Sequence, residues 1–168
     1  MEFTFSDKAK KVSFILMGLG LILFVIGLFT GHSEHKDQRI WVDLLANGFL
    51  FFGVALGALF FLALQYASEA AWGTLLKRIF EAVMSFLPVG IVVLTIVFIG
   101  ASTHMNHIYH WMDPAVTDPT SHHYDAIIAG KSAYLNQAFF WGRTLAYFGT
   151  FLFFAWWFRK KSLEEDQI

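Results

Sequence analysis

The 168-residue chain has no cysteine at all and only three prolines. Without a thiol it can form no disulfide, no thiolate metal or iron–sulfur site, no covalent c-type haem and no cysteine nucleophile. Charge is scarce as well. Only 15% of residues are Asp, Glu, Lys or Arg, against about 25% in soluble domains. A net charge of −1, with histidine neutral, offers no basic patch to a polyanion, so nucleic acid is not an expected partner. The chain also lacks a Gly-rich phosphate loop, a nucleophile elbow and a zinc-protease helix motif. Nor do paired carboxylates recur at helical spacing inside its apolar runs. These absences argue against a soluble-substrate enzyme.

What is abundant is apolar. Hydrophobic residues make up 57% of the chain and aromatics 18%, with twenty Phe and six Trp, and the mean hydropathy is +0.54. So much exposed aromatic surface would be insoluble unless lipid or protein covered it. The composition predicts an integral membrane protein. Four apolar runs have the length needed to cross a hydrocarbon core of about 30 Å: residues 12–30, 41–67, 82–101 and 135–158. Each is read as a helix, because in lipid the backbone must satisfy its own hydrogen bonds. The expected fold is therefore all-α, a bundle of four transmembrane helices in one domain spanning residues 1–168.

The lysines near the N-terminus precede an apolar stretch, as in a signal peptide. That stretch is longer than a signal core and lacks an Ala-x-Ala site, so a retained first helix is expected. Orientation follows from the Lys and Arg in the connections. Both termini and the second connection carry eight of them, and the opposite side carries three. Both termini are expected to be cytoplasmic. Within residues 68–81, Trp72, Leu75, Leu76, Ile79 and Phe80 recur at helical spacing opposite Lys77, Arg78 and Glu81. This pattern fits a short interfacial helix or an extension of the third span. Pro88 should kink that span by removing the bond to the Met84 carbonyl. The outer loop, about residues 111–135, carries turn signals at Asp113-Pro114 and Asp118-Pro119.

Polar residues within or near the spans are the candidate functional groups. Arg143 lies about two turns into the fourth run, so it should face the bundle and find a partner. Asp43 lies at matching depth on the second helix, and an Asp43–Arg143 pair is expected, as a structural clamp or part of a transport path. All seven histidines fall toward the outer face. His104, His107 and His110 follow at three-residue steps and are read as the polar end of the third helix. Three readings stay open for them: b-haem ligation with His32 or His35, a metal site with no recognisable completing ligand, and ordinary interfacial bonding. His104 and His107, beside Asn106, also remain open to a proton-accepting role. On the inner side Glu81 is placed to enter a cavity, with Gln65, Glu69 and Ser85 nearby. Two polar ends with an apolar waist between them suit proton half-channels and ordinary helix ends equally. Gly53 and Gly57 form a small-xxx-small motif suited to close helix packing.

Several of these residues also carry a resemblance. The segments Phe86-Leu87-Pro88-Val89-Gly90, His104-Met-Asn106-His107, Trp111-Met112-Asp113-Pro114 and Gly130-Lys131-Ser132-Ala-Tyr134-Leu135-Asn136, with Glu81 and Arg143, are similar to the N-terminal part of a membrane subunit of bacterial alternative complex III. That assembly is a quinol:cytochrome c oxidoreductase, and the subunit belongs to the NrfD-like, polysulfide-reductase-type group. The resemblance runs over about residues 6–161. It implies a scaffold subunit with a proton path beside a quinol-oxidising sister, not catalytic on its own. Asp43, Glu81, His104, His107 and Arg143 are the candidates by position. It further implies no cofactor or metal bound by this chain, with haem c, iron–sulfur clusters and quinol in partner membrane and periplasmic subunits, and the quinone pool nearby. Subunits of that group continue into further spans, so the chain is expected to be a fragment or a split subunit. Two alternatives stand beside this reading: a b-haem-binding membrane anchor and a purely structural assembly subunit.

Overall fold

A computed structural model describes residues 6–30, 36–69, 73 and 75–165. Every regular element among them is helical: α1 (Asp7–Thr30), α2 (Lys36–Ala67), α3 (Lys77–Met84), α4 (Leu87–Ser102), α5 (Ala126–Gly130) and α6 (Gln137–Glu165). His32, His35 and Trp72 lie outside the described residues. Three stretches are long and apolar enough to cross a membrane: Asp7–Gly27, Gln38–Ala67 and Leu75–Ser102. The third takes in α3 and α4 together. α6 is long enough at 29 residues, but Arg143 and its Trp and Tyr residues lower its hydropathy below that of α1 and α2.

The chain divides into two compact units, Met1–Ile40 and Trp41–Ile168. In the first, α1 presents apolar side chains all round, and the 18-residue window that qualifies it as a span buries none of them. A helix hydrophobic on every side suits lipid or a protein partner, not water. Gly27 faces the start of α2, where a Cβ would meet Ile40 Cδ1 at 3.7 Å.

In the second unit, α2 and α4 run antiparallel, and glycine sets how closely they approach. A Cβ placed on Gly48 would fall 2.8 Å from Val93 Cγ1, and one on Gly90 3.1 Å from Phe52. One on Gly100 would fall 2.7 Å from Trp41 Cη2. Each contact moves down one helix as it moves up the other. Small residues at such crossings let backbones pack where lipid supplies no hydrophobic drive. The core is built from Phe52, Ala55, Leu59 and Leu62 of α2, Met84 of α3, and Leu87 and Leu94 of α4. Phe148, Phe151, Ala155 and Phe158 of α6 pack against it.

α3 and α4 are separated by Ser85 and Phe86, both still with right-handed helical angles. The break falls where Pro88, in the first turn of α4, denies Met84 a donor. α4 ends in a Schellman motif. His104 takes φ 59°, its N–H donates to the Ala101 carbonyl (3.2 Å), and the Met105 N–H donates to that of Gly100 (2.9 Å). His104, His107 and His110 therefore do not continue the helix, and their three-residue spacing sets no common face. The chain turns out of α4 instead.

Candidate functional site

The connections between α4 and α6 form a cap at one end of this unit, held by side chains that bond backbone. Asn106, only 3% exposed, donates to the Val97 carbonyl (3.4 Å) and accepts from the Ile108 N–H (3.4 Å). Asp113 accepts from the Ala115 N–H (2.9 Å) and so caps a 3-10 turn, Pro114–Val116, whose Val116 is fully buried. Asp125 caps α5 through the Ile127 and Ile128 amides (2.8 and 3.3 Å). Asn136 caps α6 through the Phe139 N–H (2.8 Å). Such caps are worth about 1 kcal/mol each. Trp141 Nε1 donates to the Ser102 hydroxyl (3.1 Å), tying α6 to the end of α4. Phe98, Tyr109, Trp111 and Phe140 cluster beneath the loop with ring centroids 5.2–6.4 Å apart. Burial among these rings pushes the Tyr109 hydroxyl above its usual range.

Arg143 sits under this cap, and its partners are aromatic. Its Cζ lies 3.7 Å from the Tyr134 ring centroid and 4.7 Å from that of Phe139, and Nε donates to the Phe139 carbonyl at 3.4 Å. The expected Asp43–Arg143 pair does not form. Asp43 is exposed on α2, and among the described residues it makes no ion pair with Arg143. The helical geometry explains this. Asp43 precedes Phe52 by nine residues, which at about 100° per residue places it on the opposite face of α2 from that core side chain. The Arg143 guanidinium instead turns back toward the start of α6. Long helical side chains prefer that direction.

The other expected residues are dispersed. His104 and His107 are exposed in the cap. Gly53 and Gly57 meet nothing within 4 Å of a would-be Cβ. They line an open apolar groove of about 590 Å³ between α2 and α6, walled by Phe60, Phe151, Phe154 and Phe158. The glycines at helix contacts are Gly48, Gly90 and Gly100.

A second polar group gathers at the opposite end of the unit, where α2 and α6 finish and α3 begins. Glu81, 9% exposed, accepts from Arg78 Nη1 (2.7 Å), and Arg78 also reaches the fully buried Ser162 hydroxyl (3.5 Å). Lys77 pairs with Glu165 and lies 5.5 Å from the Tyr66 ring centroid. Tyr66 stacks on Phe158 at 5.4 Å. Glu81 Oε1 and Gln65 Nε2 are buried with no hydrogen-bond partner among the described residues. Sequence reasoning placed Glu81 and Gln65 here but missed Ser162, because a single small polar residue on a distant helix leaves no local signal. Between the two ends α4 carries only Thr95 as a polar residue from Val89 to Gly100, and its hydroxyl is spent on the Ile91 carbonyl (2.7 Å).

No protein-family model matches the chain, and no curated protein matches it.

Proposed function

We propose that this chain is a membrane subunit of a respiratory quinol-oxidising complex of the alternative complex III type. It contributes scaffold and a proton path and carries no redox group of its own. α6 is then a fourth span, both termini are cytoplasmic, and the membrane is the bacterial inner membrane. Haem c, iron–sulfur clusters and quinol belong to partner subunits.

One observation supports this reading above others: the segments that carry the resemblance are the ones that build the outer cap. Asn106, Asp113, Tyr134 and Asn136 each fix backbone or hold Arg143. The apolar sides of α1, α2 and α6 stay uncovered, as suits a component of a larger assembly. Glu81 is the best candidate for proton exchange at the inner end, since one of its oxygens is buried without a partner. The b-haem alternative requires an imidazole facing the bundle, and His104 and His107 are exposed.

Affinity purification of the tagged chain from its native membranes tests the assignment. Co-isolation of c-type haem and iron–sulfur subunits with quinol:cytochrome c reductase activity is the expected result. A chain isolated free of haem and of that activity overturns it. Within such a complex, Glu81→Gln should lower the protons moved per electron in proteoliposomes. An unchanged ratio would leave the scaffold role alone.

A further inference from the structure

We propose that Arg143 holds the phosphate of a membrane phospholipid whose acyl chain lies in the groove between α2 and α6. The inference rests on the cation and its surroundings and is independent of the respiratory assignment.

Arg143 is a permanent charge with no carboxylate beside it among the described residues. Its contacts are two aromatic rings and one long bond to a carbonyl. These leave most of its five donors free for a bidentate acceptor, and phosphate matches that fork. Arg143 also lines two hollows. One, about 580 Å³ and open, is bordered by Phe139 and Asn136 and by the small residues Ala133, Ala138, Gly142 and Ala146. Arg143 lies six residues into α6, about 9 Å from its start.

The second hollow, about 440 Å³, is lined by Arg143 together with aromatic and aliphatic side chains including Phe49, Phe52, Phe98 and Phe148. Through Phe151 it adjoins the groove floored by Gly53 and Gly57. From Arg143 to Phe158 this track follows α6 for about 22 Å, more than the roughly 15 Å depth of one leaflet's hydrocarbon. An amphiphile with an anionic head and one leaflet-length chain therefore fits end to end. Charge complementarity at the head and apolar walls along the tail select a phospholipid over a free anion, which would have nothing to place in the groove. Gly53 and Gly57 thus serve a lipid chain where the sequence motif suggested a second helix.

The test uses the full chain purified in detergent, titrated with dioleoylphosphatidylglycerol or with dioleoylglycerol, which has the same chains and no phosphate. Native mass spectrometry should show retention of phosphatidylglycerol at least about tenfold above dioleoylglycerol. Arg143→Met should abolish the difference, and Arg143→Lys should keep part of it. Gly53→Leu, which fills the groove without touching the cation, should lower retention of phosphatidylglycerol while leaving the chain folded. Equal retention of the two lipids by the wild-type chain overturns the proposal. So does phosphatidylglycerol retention that is unchanged in both Arg143→Met and Gly53→Leu.

Discussion

The guanidinium of Arg143 stacks on the ring of Tyr134, with Cζ 3.7 Å from the ring centroid. Tyr134 precedes α6 while Arg143 lies in its second turn, so this contact fastens the outer loop to the helix it leads into. Partly exposed cation–π contacts contribute about 0.5–1 kcal/mol, and more when desolvated. Tyr134→Leu should lower the thermal midpoint of the purified chain by an amount matching about 1 kcal/mol, while Tyr134→Phe, which keeps the ring, should stay near wild type. A loss in Tyr134→Phe as large as in Tyr134→Leu would show that the hydroxyl matters and the ring does not.

Gly100 and Gly53 should respond oppositely to the same substitution. A methyl at Gly100 runs into the Trp41 ring and Asn106 Nδ2 at 2.7–2.9 Å. Gly100→Ala should cost about 1–3 kcal/mol through overpacking. Gly53→Ala meets nothing within 4 Å and should be neutral or stabilising by a few tenths of a kcal/mol through helix propensity. Comparative thermal unfolding in one detergent distinguishes the two. Equal effects would refute the α2–α4 contact described above.

His104 adopts φ 59° at the C-terminus of α4. A side chain there strains a left-handed backbone, and glycine removes the strain. His104→Gly should stabilise the chain by about 1 kcal/mol. A clear destabilisation would mean that the imidazole makes a contact outweighing the backbone cost.

Asp118 accepts from the Thr120 N–H (2.9 Å) and hydroxyl (2.7 Å), and these bonds, the backbone one foremost, hold its carboxyl below the ordinary range. A depressed folded pKa stabilises the turn above the unfolded value of about 3.9. That stability fades as pH falls through the folded value. Thr120→Ala removes one of the two donors and should raise the Asp118 pKa toward normal. Carboxyl chemical shifts followed by NMR would read this directly, and an unmoved midpoint would count against the turn geometry.

Ser162 is fully buried beside Arg78 at the inner end of the bundle. Ser162→Leu should destabilise by about 1–3 kcal/mol, because α3 and α6 leave no space for the larger side chain. Ser162→Ala should cost less, since Arg78 keeps Glu81. A thermal shift equal in both variants would point to the hydroxyl and away from packing.

Hydropathy alone sufficed to place three apolar helices, because a run of about 20 apolar residues has few other fates. The Pro88 break was also legible, since it depends on one residue and its near neighbours. The partner of Arg143 was not legible. Two residues at equal depth meet only if both helices turn the right faces to each other, and Asp43 points away from the core side of α2. The same holds for glycine. Gly48, Gly90 and Gly100 meet a neighbouring side chain and Gly53 and Gly57 do not, although the latter pair form the recognisable motif. The sequence by itself determined which segments are helical, because that follows from local chemistry. Only the tertiary structure decided which faces touch, because the rotation of one helix against another is set by the packing of side chains far apart in the chain.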